Sequence, residues 1–335
     1  ENKGIELTIN ATPIQLRDFS WQTTLTYTKN KNKVLKLSEG KSFVEDGKYL
    51  IEEGSPLGQW FGQKALGIYA TDEANAYIKN SDGSFGDRLV PVYQRDPNNY
   101  NNYIYGSNGK PIFSHYETKG GQKYTGDVGK MTTAGSVSKG GDIIWDDLDH
   151  DGVIGDSDRR ILGNGMPTWY MGWTNYLNYK SFSLSFSFYG SFGNKIYNKQ
   201  RRDLLQNSSS NMTPLARDCY RLWKYQGQIT EVYSSAKATT GVNNARELSS
   251  FFLEDGDYIR LTNARLAYRV DRKLTKRFHI SDLQLYVYGN NLLTWTKYKG
   301  FDPSSISNSN VLRPGIDSGR YPTAREIGFG LNVNF

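Results

Sequence analysis

The segment Ser181-Phe182-Ser183-Leu184-Ser185-Phe186-Ser187-Phe188 decides the fold class of this chain. Every even position holds a large apolar side chain, and every odd position holds serine. Successive side chains of a β-strand point to opposite faces of the sheet. The segment therefore predicts a strand that has one apolar face and one face of small polar residues.

Six other segments carry the same period of two, and they predict six more two-faced strands. They cover residues 5–10, 21–28, 169–179, 258–270, 283–287 and 327–335. The alternation of the fourth segment changes phase near Thr262 and Asn263, which predicts a β-bulge there. The last segment alternates up to Phe335, an aromatic residue that resembles the signal read by the machinery that assembles outer-membrane barrels.

A transmembrane β-barrel and a soluble antiparallel sandwich both produce such alternation, because one face of each strand meets apolar material. The strands approach the roughly 9 to 11 residues that cross a bilayer at a tilt, and the usual soluble strand has about 5 to 6. Aromatic residues stand at the expected strand ends, where a barrel has its interfacial girdles. They are Trp169, Tyr170, Trp295 and Tyr298. We predict an all-β fold, a transmembrane antiparallel barrel.

The composition agrees with a barrel in spite of a mean hydropathy of −0.64. The 335 residues include 24 Tyr, 15 Phe, 7 Trp and 34 Gly, which suit strands, girdles and loops. No apolar run reaches the roughly 18 residues of a transmembrane helix. The net charge of +7 is spread among polar residues, so we expect no nucleic-acid partner. The single cysteine, Cys219, cannot form an internal disulfide.

The predicted connections alternate between short and long. Short turns are expected at residues 12–18, 179–181 and 271–281, and long loops at about residues 31–168, 193–255 and 299–320. Outer-membrane barrels have short periplasmic turns and long extracellular loops. We therefore expect the three long loops to be extracellular and the last strand to end in the periplasm, in the outer membrane of a Gram-negative cell.

Seven strands are too few for a bacterial barrel of even strand number, so we expect them to be the carboxyl-terminal set of a larger one. About fifteen further strands would complete a barrel of about 22, a class whose lumen holds a plug. No signal peptide begins at Glu1, so the chain is expected to begin inside a longer polypeptide, with the plug and the N-terminal region elsewhere.

An acidic segment from Asp147 to Asp158 has the spacing of a twelve-residue calcium loop. It offers carboxylates at positions 1, 3 and 5, glycine at 6, a backbone carbonyl at 7 and a carboxylate at 12. The candidate ligands are Asp147, Asp149, Asp151, Val153 and Asp158. The flanking sequence predicts strands instead of EF-hand helices, so the ion would stiffen a loop. An acidic turn held by side-chain hydrogen bonds, without metal, is the alternative.

Motifs for catalysis are poor. Gly40-Lys41-Ser42 has Leu35 where a phosphate-binding loop requires glycine, and no Gly-x-Ser-x-Gly is present. The three histidines lie far apart in the sequence and lack metal-ligand spacing. We expect no enzymatic activity. Tyrosines in the predicted long loops could stack on sugar rings or pack the loops together. They are Tyr100, Tyr103, Tyr105 and Tyr116.

Eight stretches, in order along nearly the whole chain, resemble the carboxyl-terminal half of the SusC-type (RagA/SusC-like) TonB-dependent transporters. They cover residues 2–7, 56–62, 141–143, 161–164, 188–194, 253–261, 289–298 and 321–335. They include Gly-Asn-Asn at residues 289–291 and the run Leu253-Glu254-Asp255-Gly256-Asp257. Gly165 stands where the family pattern leads us to expect proline.

The resemblance implies a plugged outer-membrane barrel that imports an oligosaccharide, a glycan or a peptide into the periplasm. It also implies a SusD-type surface lipoprotein as a lid, and energy from the TonB complex through a plug that has no counterpart in these residues. Outer-membrane lipid and the remaining N-terminal part of the same barrel would be its other partners. The alternative function is a soluble, calcium-stabilised β-sandwich adhesin or carbohydrate-binding module.

Overall fold

A computed structural model describes residues 1–205, 217–234, 244, 248–304 and 310–335. Parts of two predicted loops, residues 206–216, 235–243, 245–247 and 305–309, lie outside the described residues. The chain divides into two compact units. The strand unit comprises Glu1–Trp60, Gly163–Asn198 and Leu253–Phe335, and the loop unit comprises Phe61–Leu162 and Lys199–Phe252. Among the described helices, none is both long and apolar enough to span a membrane.

Seven antiparallel strands form the main sheet of the strand unit and confirm the strands expected from the alternation. Each strand pairs with its neighbours in chain order. They are β1 (Asn2–Gln15), β2 (Phe19–Asn32), β3 (Trp169–Tyr179), β4 (Phe182–Phe192), β5 (Tyr258–Arg269), β6 (Asp282–Thr296) and β7 (Glu326–Asn334). The shortest has 9 residues and the longest has 15, which is enough to cross a bilayer at a tilt.

The register brings the apolar residues of all seven strands to one face of the sheet, because residues paired across two strands point the same way. Leu7 pairs with Tyr27. Trp173 of β3 pairs with Phe188 of β4. On β7, Ile327 is 75% exposed and Phe329 is 92% exposed. A sandwich would bury this face under a second sheet, so its exposure favours a lipid-facing wall over the sandwich.

Aromatic rings connect the strands on the apolar face. Trp169 stacks on Phe192 with ring centroids 3.9 Å apart, and the rings of Trp173 and Phe188 lie 5.7 Å apart. Phe188 in turn contacts Trp295 of β6 at 6.1 Å. Such pairs stabilise neighbouring strands beyond the area that they bury.

The predicted bulge at Thr262 is confirmed by a register shift between β4 and β5. The pairing of β5 with β6 shifts at the same place, and Asn291 of β6 has a φ of +51°. Asn263 donates a hydrogen bond to Asn290 across the two strands at 2.9 Å. A Cβ on Gly289 would lie 2.5 Å from Leu292, so the Gly-Asn-Asn stretch fits a paired bulge.

The connections alternate between short and long. Residues 16–18 and 180–181 are tight turns, and residues 270–281 contain a one-turn helix, Arg272–Thr275, and a 3₁₀ turn, Lys276–Phe278. Asp271 accepts a hydrogen bond from the Lys273 N–H at 2.9 Å and caps this helix. Residues 33–168, 193–257 and 297–325 form the long connections.

Short strands complete the strand unit around an aromatic core. Tyr49 and Trp60 are fully buried, and their rings stack at 4.4 Å. The Trp60 indole donates to the Lys195 carbonyl at 3.0 Å. A Cβ on Gly165 would lie 2.4 Å from the Pro314 carbonyl oxygen, which explains glycine where the family pattern suggested proline. The elements are Phe43–Glu45, Tyr49–Ile51, Lys195–Asn198, Leu253–Asp255, Ile316–Asp317 and the 3₁₀ turn Ser38–Gly40.

The loop unit consists of short strands around a separate core that includes Tyr69, Ile143, Trp145 and Ile154. Buried Asn75 donates to the carbonyls of Met131 and Ser138. The strands are Ala65–Ile68, Tyr77–Lys79, Phe85–Arg88, Val90–Tyr93, Arg95–Asp96, Asn99–Tyr103, Phe113–Glu117, Lys123–Tyr124, Val128–Gly129, Thr132–Thr133, Ser136–Val137, Ile143–Trp145 and Val153–Ile154. The described helices of this unit are Lys199–Leu205 and the 3₁₀ turn Arg217–Arg221. Two further strands, Gln59–Gln63 and Arg159–Asn164, begin in one unit and end in the other.

Candidate functional site

The acidic segment Asp147–Asp158 forms a tight loop in the loop unit. It follows the strand Ile143–Trp145, and its own strand, Val153–Ile154, pairs in parallel with Thr132–Thr133. Gly152 has a φ of +78°, and a Cβ there would lie 2.4 Å from the ring of Phe85. Both the backbone conformation and the lack of space therefore require glycine at this position.

Backbone N–H groups orient the carboxylates of the loop. Oδ2 of Asp147 accepts from Gly152 at 3.0 Å, and Oδ1 of Asp151 accepts from Val153 at 2.7 Å. Oδ1 of Asp149 accepts from the Asp151 N–H at 3.4 Å. Hydrogen bonds of this local kind fix the turn and hold each carboxylate in one direction.

Three of the predicted ligands come together. Asp147, Asp149 and Asp151 each offer a carboxylate oxygen, and these oxygens lie within 4.8 Å of one another. Asp147 is only 6% exposed, and its Oδ1 is buried without a hydrogen-bond partner. Asp149 and Asp151 are exposed. Burial, with further contributions from the neighbouring acids, raises the pKa of Asp147 to about 6.

Of the other two predicted ligands, Asp158 is not part of this carboxylate cluster among the described residues, and Val153 would contribute its backbone carbonyl. Asp158 is fully buried. Its Oδ1 accepts from the Leu148 N–H at 2.8 Å, and its Oδ2 accepts from the Gly155 N–H at 2.7 Å. Asp158 thus ties the beginning of the loop to its end. Val153 pairs with Thr132, and its side chain is half exposed.

The polar face of the main sheet is a second candidate site. Serine, threonine and asparagine share this face with tyrosines such as Tyr176, Tyr189 and Tyr288. Arg265 of β5 lies there too: it stacks on Tyr286, with 4.3 Å from its guanidinium carbon to the ring centroid, and donates to Gln284 at 3.1 Å. The sequence analysis missed these larger residues, although their alternate positions in β5 and β6 would have placed them on this face.

A buried ion pair joins the polar face to the connection that follows β6, and the sequence analysis missed it as well. Arg260 of β5 and Asp302 are both less than a tenth exposed, and Nη2 of the arginine lies 2.5 Å from Oδ1 of the aspartate. Burial alone would raise the pKa of Asp302, but hydrogen bonds from Ser304 and Thr323 outweigh burial and lower this pKa to about 2.

The loop tyrosines divide into two groups. Tyr100 is 79% exposed and Tyr105 is 53% exposed. Tyr103 lies under the guanidinium of Arg95 at 3.8 Å. The ring of Tyr116 contacts that of Phe113 at 4.6 Å. Tyr100 and Tyr105 are therefore free to meet a ligand, whereas Tyr103 and Tyr116 pack the loop.

A sheet with one continuous apolar face and one polar face, made of strands long enough to cross a bilayer, defines the wall of a transmembrane β-barrel. Comparisons with known proteins agree. No protein-family model matches the chain. The chain is 36% identical over 339 residues to a TonB-dependent receptor of Formosa agariphila, with 100% of this chain and 30% of the relative covered. It is 25% identical to the TonB-dependent receptor SusC of Bacteroides thetaiotaomicron, covering 100% of this chain and 26% of SusC.

The fold is similar to solved structures too. The structure of the RagAB peptide transporter aligns with a TM-score of 0.65 at 17% identity, covering 100% of this chain and 29% of the solved chain. The 'closed-closed' state of the RagAB peptide importer aligns with a TM-score of 0.63 at 19% identity, covering 100% of this chain and 29% of that one. Along its whole length the chain is similar to TonB-dependent receptors, SusC among them, and it spans about 30% of the length of the relative from Formosa agariphila.

Proposed function

We propose that these residues form part of the wall of an outer-membrane importer that brings a nutrient into the periplasm. The two-faced sheet is the observation that carries the proposal, because its apolar face suits lipid and its polar face suits an aqueous lumen. The relatives named above are TonB-dependent receptors, which supports this proposal. The other residues of the barrel, and its plug, belong to the complete polypeptide and are also part of the proposal.

The substrate class that we propose is an oligosaccharide, a glycan or a peptide. The polar face offers hydroxyl and amide groups, and Arg265 and Gln284 add a cation and a further amide beside Tyr286. Such groups bind polar solutes through hydrogen bonds, and tyrosine rings stack on sugars. The similar RagAB structures are those of a peptide transporter, which supports the peptide class.

We further propose two partners. A SusD-type surface lipoprotein would cover the long connections from the extracellular side, and the TonB complex would supply energy through the plug. The relatives' names include TonB dependence, which supports the second partner. In this arrangement the long connections face the outside of a Gram-negative cell and the short turns face the periplasm.

Uptake by the producing bacterium tests the proposal. Cells that lack the gene should fail to take up a labelled glycan fragment or peptide that wild-type cells accumulate, and the complete gene should restore uptake. A protonophore should abolish uptake in wild-type cells, because TonB coupling depends on the inner-membrane proton gradient. Wild-type cells and cells without the gene would accumulate every tested glycan and peptide equally if the proposal were wrong.

A further inference from the structure

The Asp147 carboxylate carries an unsatisfied oxygen in the interior of the loop unit. Its Oδ2 accepts a hydrogen bond from the Gly152 N–H. Its Oδ1 is buried and accepts no hydrogen bond from any described residue. A buried polar atom without a partner costs free energy, and a buried anionic oxygen costs more than a neutral one. A positively charged ligand at Oδ1 would remove this cost.

Among the residues that the structure describes, no side chain provides that charge. Within the described part of the chain, no lysine, arginine or histidine forms an ion pair with Asp147, Asp149 or Asp151. The acid just before them differs: Asp146 pairs with Arg160 at 2.7 Å. Three carboxylates therefore stand together without a cation from any described residue, although Asp146, just before them, pairs with Arg160.

The separation of the three oxygens fits one ion. Two oxygens bound to the same calcium at about 2.4 Å cannot lie more than about 4.8 Å apart. The three carboxylate oxygens lie within 4.8 Å of one another, which meets this condition for a shared cation. Asp149 and Asp151 are exposed, which leaves room for water ligands on the solvent side.

We propose that the loop Asp147–Asp158 binds one calcium ion through the carboxylates of Asp147, Asp149 and Asp151. The donors are oxygens only, which suits a hard cation, and calcium accepts six to eight oxygens in flexible geometry, whereas magnesium demands a near-ideal octahedron. Asp158 supports the site by holding the loop closed through Leu148 and Gly155. Strands flank the loop, so the ion fixes its shape, in contrast to an EF-hand, where it moves helices.

Metal content of the complete receptor, purified in detergent, tests the site. After treatment with a chelator and dialysis against calcium near the 10⁻⁴–10⁻³ M affinity range of extracellular modules, roughly one calcium per chain should be bound. Asp147→Asn and Asp151→Asn should each lose most of it. Asp156→Asn is the matched control, because Asp156 lies in the same loop with its side chain 97% exposed, and this variant should bind as the wild type does. Calcium carried by lipopolysaccharide is common to all variants and cancels in the comparison.

A second measurement covers variants that fail to fold. In the wild type, terbium should bind in place of calcium and show luminescence sensitised by Trp145, which lies two residues before Asp147. Calcium should displace it. The proposal is overturned if Asp147→Asn keeps stoichiometric calcium, if the wild type binds neither calcium nor terbium, or if magnesium at equal concentration takes the site in preference. None of these outcomes depends on transport.

Discussion

Arg260 is a buried cation on the polar face of β5, and all three of its guanidinium nitrogens have partners. Nε donates to Thr294 at 2.9 Å, Nη1 donates to Ser304 at 3.0 Å, and Nη2 pairs with Asp302. The removal of one partner from a buried pair leaves an uncompensated charge, which costs more than the pair contributes. The pair therefore holds the connection after β6 against the wall.

The substitution Arg260→Ala should destabilise the folded receptor by about 3–5 kcal/mol, because Asp302 would remain buried without its cation. The measurement is the urea concentration, or the temperature, at which the purified barrel loses its compact, heat-modifiable mobility on a gel. The transition of the variant should fall clearly below that of the wild type.

Arg269→Ala is the matched control, since it removes the same side chain from the same strand. The Arg269 side chain is 66% exposed and pairs with Asp282 at 3.2 Å, and exposed pairs are worth about 0–1 kcal/mol. Equal transitions for the two variants would show that burial of the Arg260 pair contributes nothing special.

Among the strands, β2 shows most simply how alternate residues lie on the apolar and the polar face of the sheet. Leu25, near the middle of the strand, lies between Ile9 and Trp173 on the apolar face. Thr24, the residue before it, donates to Asn10 at 2.8 Å on the polar face. In the proposed wall, two consecutive residues therefore point to opposite sides, Leu25 to lipid and Thr24 to the lumen.

Arginine at these two positions should have very different effects. Leu25→Arg places a charge on the lipid face near the middle of a 14-residue strand, where it should cost about 2–4 kcal/mol. Thr24→Arg points into a shallow polar depression that Gln22 and Tyr176 also line, so it should change stability little. Folding of the complete receptor into lipid vesicles, followed by urea titration, measures both. A larger loss for Thr24→Arg would mean that the two faces have been assigned in reverse.

Sequence alternation predicted all seven long strands because each one has an apolar face, and that constraint acts on every second residue. The bulge at Thr262 was visible for the same reason. The short strands of the loop unit were not predicted, since two- to five-residue pairings depend on contacts with distant residues. Asn75 is an example, as its partners Met131 and Ser138 are more than 50 residues away.

The candidate metal site was partly predictable. Its spacing in the sequence named Asp147, Asp149 and Asp151, which the fold brings together. The role of Asp158 depends on hydrogen bonds to Leu148 and Gly155, which spacing does not reveal. Asp302, the buried partner of Arg260, lies 42 residues further along the chain, in the connection after β6, so no local sequence pattern could indicate the pair.

At the scale of the whole molecule, the main sheet has two free edges in the order of its strands, β1 and β7. An unpaired strand edge is not tolerated in the hydrocarbon region, because its backbone N–H and C=O groups would lack hydrogen bonds. In the proposed barrel, further strands would pair with both edges. This requirement agrees with a chain that covers about 30% of its Formosa relative.

The proposed orientation of the barrel can be read from cysteine accessibility in intact cells. In a Cys219→Ser background, Tyr100→Cys and Val311→Cys place thiols in long connections, at positions that are 79% and 61% exposed. Both should react with a maleimide that cannot cross membranes. Phe278→Cys, in the short turn between β5 and β6, is 72% exposed and should react only after the outer membrane is permeabilised.

Accessibility within the fold is matched among these positions, so a difference in labelling reports the side of the membrane. Leu16→Cys, 65% exposed in the turn between β1 and β2, provides a second short-turn position and should behave like Phe278→Cys. A lipoprotein lid could shield one long connection, which is why two are tested. Labelling of the short turns in intact cells, with protection of both long connections, would invert the orientation, and the long connections could then neither meet nutrient outside the cell nor bind a surface partner.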